Sequence, residues 1–419
     1  MSQRILFVMQ YDMLNPVNEY YQNSGNTVFS SAGVSFFWKQ NVRYVLMDDV
    51  KKELAADSEW ARRNFDVAVL MEACLFWVGY KDNIVALGRM IRQLGIPMFI
   101  LGVGVESPGD YSEGFLSKIG DDMKFFCESV IGGGGALALR GEFTRHCLEK
   151  LGFGGFFVSG CPSLYVSGGS LDIPVAKVSR RDFKPMFSGY SVGDVSKAVY
   201  RKYRGSAFFA QDRYLKMMYH PEQRHAMPVD EARLFDWLYS QDRVLGDMNY
   251  WLWVRQVRRG GFNFSYGSRI HGNLVALQQR IPAYVEVISA RTREICDFYG
   301  IPNTMSMPFR RRRKLMYELY LACDYSGFAA NYAEKYRRFV DFLTDKGLSN
   351  NVGESDAFFA HLDSLPYYDW LADAKIREYK NGMATKPSLG EVFRRLFGPL
   401  RRGDRHGVDN CAAKAAREA

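Results

Sequence analysis

The feature that most limits the fold is a set of short, unbroken apolar runs recurring between helix-length segments in the first 165 residues. Ile5-Leu6-Phe7-Val8, Arg43 to Leu46, Asp66-Val67-Ala68-Val69-Leu70 and Pro97-Met98-Phe99-Ile100-Leu101 read as strands. Thr27 to Trp38, a charged stretch from Lys51 to Arg63, and Asp82 to Leu94 read as the helices between them. Strands apolar at successive positions are covered on both faces, and a sheet covered by its own crossover helices is parallel. The same unit recurs at 136-ALALRGEFTRHCLEKLGF-153, with Gly152 as the helix stop.

A chain of 419 residues exceeds what one hydrophobic core ordinarily serves. A second α/β unit is expected between Phe187 and Pro302, with strands at Ala207-Phe208-Phe209-Ala210, Phe262 to Ser265 and Ala283 to Ile288. Glycine, serine and proline cluster in 167-SGGSLDIP-174, which reads as the linker. The expected division is an N-terminal Rossmann-like domain over 1–166, a linker over 167–185, a second Rossmann-like domain over 186–309 and a helical, basic extension over 310–419. Two such domains face a cleft, and ligands bind at the carboxyl ends of the strands, near helix N-termini.

A hydrophobic fraction of 47% and an aromatic fraction of 15% suit buried cores and exclude a disordered chain. No apolar run reaches bilayer-spanning length, and MSQRILFVMQYD lacks a signal-peptide core and cleavage site, so cytoplasmic residence is expected. The seven cysteines form no CxxC pair or metal-ligand spacing, which predicts reduced thiols and no metal site. Cys161 reads as a small packing residue. The net charge of +9 concentrates in Arg310-Arg311-Arg312-Arg313-Lys314 and in the last 49 residues, with 11 Lys/Arg against 6 Asp/Glu. In 389-LGEVFRRLFGPLRR-402, Leu389, Val392, Phe393, Leu396, Phe397 and Leu400 share one helical face flanked by arginines. Such a segment can lie on an anionic membrane or dock on the protein itself, although Gly398-Pro399 interrupts it. No nucleic-acid module is recognisable, so no nucleic acid is expected.

The candidate chemistry is cationic. Gly102 and Gly104 follow a strand in 101-LGVGVESPG-109, but Ser107 stands where a dinucleotide fingerprint has its third glycine. The run 132-GGGG-135 lacks the Gly-Lys-Ser/Thr of a phosphate loop and reads as a flexible lead-in to Ala136 to Leu139. Arg140 ends that strand, where it can reach the cleft or form a surface ion pair; taken alone, the ion pair is the expectation. Arg269 and His271 are two apart, so on an extended backbone both side chains point one way, with a helix starting at Gly272-Asn273-Leu274. Arg291 follows the strand Tyr284 to Ile288. Three arginines at strand ends imply an anionic ligand. Asp12, Asp66, Glu72, Glu106 and Glu286 also lie near strand ends, and spacing does not choose a base among them. GxSxG, HExxH and EF-hand patterns are missing.

With these residues in view the chain resembles the polysaccharide pyruvyl transferase family. The resembling elements are 23-NSGNTVFSSAG-33, with Asn23, Gly25 and Asn26; 96-IPMFILGVGVESPG-109; 138-ALRGEFTRHCLEKLG-152 with 159-SGCPSLY-165; and 267-GSRIHGNLVALQQRIPAYVE-286 with 290-ARTREICDFYGIP-302. Their order and spacing cover roughly residues 20 to 302. Ala290 departs from the pattern, standing where many members have Asp or a neighbouring polar residue. The resemblance implies a glycosyltransferase-B-like fold and transfer of a pyruvyl group from phosphoenolpyruvate to sugar hydroxyls, forming a pyruvate ketal. It implies that Arg140, Arg269, His271 and Arg291 match positions that hold the donor or act on it. From the chemistry the expected division is that the arginines bind the anion and His271 transfers the proton, with Asn23, Gly25, Asn26, Gly102 and Gly104 as candidate backbone loops for the ligand. No cofactor is expected beyond phosphoenolpyruvate as donor substrate, and the acceptor is expected to be a glycan or lipid-linked saccharide. Two other readings compete: a nucleotide-sugar glycosyltransferase of the same two-domain fold, and a non-catalytic sugar-binding assembly protein.

Overall fold

The computed structural model describes residues 2–11, 23–219, 227–305 and 309–364. Asp12 and the amphipathic segment 389–402 lie outside the described residues, as do the side chains of the basic block 310–314. The first half runs β1 (Ile5–Met9), α1 (Ser24–Phe37), β2 (Val42–Leu46), α2 (Met47–Ala56), α3 (Trp60–Asn64), β3 (Val67–Met71), α4 (Lys81–Leu94), β4 (Met98–Val103), α5 (Leu116–Gly132), β5 (Ala136–Leu139), α6 (Glu142–Lys150) and β6 (Phe157–Val158). The second half runs β7 (Pro185–Phe187), α7 (Lys197–Lys202), β8 (Ala207–Phe209), α8 (Arg213–Tyr219), α9 (Val229–Tyr239), β9 (Val244–Leu245), α10 (Tyr250–Gly260), β10 (Phe264–Gly267), α11 (Ile270–Gln278), β11 (Ala283–Val287), α12 (Ala290–Tyr299) and β12 (Asn303–Met305). Then come α13 (Phe309–Leu321), α14 (Ser326–Asp345) and α15 (Ser355–Ser364).

Each half is a six-stranded parallel sheet. The first has the order β2-β1-β3-β4-β5-β6 and the second β12-β11-β10-β7-β8-β9. Read from its far edge, the second order is that of the dinucleotide-binding Rossmann sheet, reversing direction between β7 and β10; the first reverses between β1 and β3. Ligands of doubly wound sheets bind outside the carboxyl ends of the strands at such reversals. The chain is thus an α/β protein of two Rossmann-like halves in the glycosyltransferase-B manner.

Two helices fix how the halves meet. In α1 nearly every residue is buried, and in α11 all of them are. Most of their residues are apolar or small, as a helix enclosed on all faces requires, and two buried polar side chains of α11 find partners: Asn273 Nδ2 donates to Gly267 O and Gln278 Nε2 to Ser163 O. They pack on each other, and a continuous apolar cluster runs from Phe7, Phe29 and Phe36 in the first half to Phe208, Tyr266 and Leu274 in the second. The carboxyl-terminal helices return to the first half: Ser35 Oγ and Ser355 Oγ are 2.9 Å apart, and Phe358 packs on Trp38.

Three local expectations are corrected. The charged stretch Lys51 to Arg63 is two helices, since Asp57 and its neighbours break the ladder between α2 and α3. Gly132 closes the long helix α5, so the glycine run is a helix end as well as a lead-in to β5. The second half holds a strand beyond those expected, because Asn303–Met305 adds the edge strand β12 beside β11. Among the described residues, no helix is long and apolar enough to cross a membrane.

Candidate functional site

The carboxyl ends of the two sheets point at each other, and their polar residues meet between them. Glu72 follows β3, Glu106 follows β4 and Arg140 follows β5. From the opposite side Ser188 follows β7, Gln211 and Asp212 follow β8, Arg269 and His271 follow β10, and Arg291 follows β11. Parallel strands deliver this convergence because every strand ends on the same edge of its sheet.

Arg140 is wholly buried, so its expectation as a surface ion pair is overturned. Its guanidinium lies over the Phe29 ring at 5.1 Å, and its Nε, Nη1 and Nη2 have no hydrogen-bond partner among the described residues. Arg269 stacks 3.5 Å from the Tyr190 ring centroid and pairs with Asp212, while its Nε, Ser188 Oγ and Gln211 Nε2 likewise lack hydrogen-bond partners. Burial pulls the Arg269 pKa down to about 10, which leaves it charged at neutral pH. Asp212 holds φ +48°, a left-handed conformation that Asp tolerates better than most residues and that accompanies its pairing with Arg269. Arg291 pairs with Glu106 at 3.1 Å.

His271 sits among all three arginines. Burial first, then the charges of Arg140, Arg291 and Arg269, push its pKa well below the ordinary histidine value. Its ring stacks on Phe29 at 6.0 Å, and Nε2 is 3.8 Å from Cys161 Sγ. The helix carrying it begins at Ile270, two residues earlier than expected. Arg269 is therefore the extended residue at the helix start and His271 lies in the first turn, so the pair does not share one strand face. They converge through the strand-to-helix junction, whose free amides and dipole favour negative charge. Arg291 is likewise the second residue of α12.

The loop residues have defined places. Asn23 caps α1 by accepting from Gly25 N at 2.9 Å, and Asn26 Nδ2 donates to Tyr11 Oη at 2.8 Å. A Cβ on Gly25 would stand 2.9 Å from His271 Nδ1, so this helix end abuts the imidazole. Gly102 has φ +81° where β4 slips register against β5, and its bare Cα faces Phe29 and Pro162. A Cβ on Gly104 would meet Glu294 Oε1 and Arg140 Cβ, so Gly104 lets those two side chains approach.

Among the carboxylates, Asp66 is an exposed partner of Arg4 and Glu286 accepts from Tyr266 Oη within the second sheet. Glu72 is buried beside Gln10, and burial raises its pKa. Glu294, inside the quoted 290-ARTRE-294, was not singled out by spacing. It is buried, burial pushes its pKa up to about 8, and it pairs with Thr144 of the first half. Gln211 and Asp212 were also missed, although they directly follow the expected strand Ala207 to Ala210, and Ser188 follows β7, which the sequence did not announce.

A family model described as polysaccharide pyruvyl transferase matches residues 23–287, well over half of the chain. A search of curated proteins finds no match. Among solved structures, the UDP-GlcNAc 2-epimerase of Methanocaldococcus jannaschii, in complex with UDP-GlcNAc and UDP, is similar at 11% identity and a TM-score of 0.44, over 82% of this chain and 99% of that one. So distant a likeness carries no argument about ligand or reaction.

Proposed function

The chain belongs to the polysaccharide pyruvyl transferase family, and we propose that it moves a pyruvyl group from phosphoenolpyruvate onto two hydroxyls of one sugar. The product is a pyruvate ketal on a cell-surface or exopolysaccharide precursor. Arg140 is the observation that carries this reading. A buried guanidinium without hydrogen bonds is costly unless an anion completes it, and phosphoenolpyruvate brings both a carboxylate and a phosphate. Arg269 and Arg291, each paired with a carboxylate, stand as further cations beside it, and Gln211 and Ser188 offer further polar contacts.

Protonation of the methylene carbon makes the adjacent C2 electrophilic, and a sugar hydroxyl adds there. A second hydroxyl then displaces phosphate. Two C–O bonds form and the C2–O bond to phosphate breaks. One hydroxyl proton balances that placed on carbon, and the other leaves with phosphate. His271 is neutral in the free protein because burial and three cations oppose its charge. The donor's negative charge offsets the arginines, so His271 gains proton affinity where the acid is needed.

The test is phosphate release from phosphoenolpyruvate in the presence of lipid-linked and simple glycosides, paired with thermal shifts against phosphoenolpyruvate and sugar nucleotides. Stabilisation by sugar nucleotides alone, with no phosphate released, would replace this reading with a glycosyltransferase. The basic amphipathic segment 389–402 suits anionic lipid and would hold the enzyme at the inner membrane face beside a lipid-linked acceptor. Removing Ser388–Ala419 should then lower liposome binding.

A further inference from the structure

Beside the arginine cluster is a cavity of about 510 Å³, within the range of small-molecule sites, lined in part by Trp77, Glu106, Ser107, Lys118 and Ser289. Its outer wall is apolar and open to solvent: Trp77, Val78 and Ile288 are 42%, 38% and 39% exposed. Trp77 is nonetheless held in place. The bridge between Phe76 and Val105, with Glu106 N donating to Phe76 O at 2.9 Å, ties its loop to the strand end that carries Glu106. Its ring also packs 5.1 Å from Tyr80.

The inner wall is Glu106, whose carboxylate pairs with Arg291. The cavity and the anion site therefore share one ion pair. Phosphate-binding charge lies on the arginine side, whereas the cavity offers a carboxylate, serine hydroxyls, one lysine and an exposed indole. This combination suits a neutral polyhydroxylated ring, with the indole against its C–H face and its hydroxyls bonded to Glu106 and the serines.

We infer that this cavity is the acceptor saccharide subsite, with Trp77 as its stacking platform and Glu106 orienting a hydroxyl toward the donor. The assignment of the sugar as acceptor rests on the transfer reading; the sugar-binding cavity itself can be tested separately. Saturation-transfer NMR on the full chain would use methyl glycosides of glucose, galactose, mannose and N-acetylglucosamine, with UDP as a further arm. At least one glycoside is expected to bind the wild type, to weaken about fivefold in Trp77→Ala and to be largely retained in Trp77→Phe. Gly79→Ala is a second variant: its added Cβ would stand 2.8 Å from the Trp77 ring and displace it without removing it, again weakening the glycoside. Equal binding by folded Trp77→Ala, no glycoside binding to the wild type, or loss of UDP rather than glycoside on substitution would each overturn the inference. A glycoside that binds through Trp77 without phosphate release would instead defeat the transfer reading and leave the saccharide cavity standing.

Discussion

Glu294, on α12 of the second half, accepts the backbone N–H of Thr144 at 3.1 Å and pairs with its hydroxyl, at the head of α6 in the first half. Thr144 Oγ1 in turn accepts from Val105 N, so one carboxyl ties together β4, α6 and α12. The tie lies beside Arg140, whose charge partly opposes the rise in the Glu294 pKa caused by burial.

That rise gives a pH dependence of defined sign. With its pKa raised from 4.5 to about 8, folded Glu294 binds a proton that the unfolded chain releases. Its contribution to stability is therefore full below the unfolded value and is lost as pH climbs through the folded one, at up to about 1.4 kcal/mol per pH unit. Thermal unfolding between pH 5 and 9 should show a steeper loss in the wild type than in Glu294→Gln, which imitates the protonated acid. Parallel curves for the two proteins would remove Glu294 as the source.

Donor binding should draw a proton into the site. His271 is held neutral by burial and by Arg140, Arg291 and Arg269, and phosphoenolpyruvate cancels those charges. Calorimetry at pH 7 in two buffers of different ionisation enthalpy should record greater proton uptake by the wild type than by His271→Asn. The difference between the proteins matters, because the phosphate group titrates too. Identical uptake would mean that His271 stays neutral throughout.

Gly25→Ala tests the abutment of α1 on the imidazole. Alanine is ordinarily the better helix residue, by roughly 0.5–1 kcal/mol. Here its Cβ would stand 2.9 Å from His271 Nδ1 and 3.2 Å from His271 Cβ, so the ring must shift. Turnover should fall about tenfold or more while phosphoenolpyruvate still binds, since a displacement near 1 Å at a reacting group can cost about a hundredfold. Unchanged turnover would show that the ring position is not critical.

Much of this was legible in the sequence, for identifiable reasons. Runs such as Val67–Met71 and Met98–Val103 are apolar throughout because both sheet faces are covered, and that pattern survives without tertiary information. Arg140, Arg269 and Arg291 are visible because each follows a strand. β7 and β9 are three and two residues long and carry no periodicity, which hid Ser188 and blurred the second half. The start of α11 was misread because Arg269 makes no side-chain cap, so no Ser, Asp or Asn announces the helix. Glu294 and Thr144 are 150 positions apart, and only the docking of the halves brings them together.

Arg140 gives the sharpest test because structure and function pull its two effects in opposite directions. As a scaffold residue its loss would destabilise the protein; as a ligand-binding cation held ready without hydrogen bonds, it is a standing cost to the free protein. Arg140→Met keeps much of the apolar stem that packs on Phe29 and removes the charge. Without donor, the variant should be more stable than the wild type by about 1–4 kcal/mol, the range found when buried ionic groups give way to apolar ones. With donor, the order should reverse as concentration rises: phosphoenolpyruvate raises the wild-type unfolding temperature by mass action, and the variant, lacking the central guanidinium, responds little. Removing the Arg140 charge, which opposes protonation of His271 more than the other arginines do, should also raise the His271 pKa toward the ordinary value, so the variant titrates an imidazole by NMR nearer neutral pH than the wild type does. A variant that melts lower than the wild type without donor and is stabilised equally with it would make Arg140 part of the framework and move the anion site elsewhere.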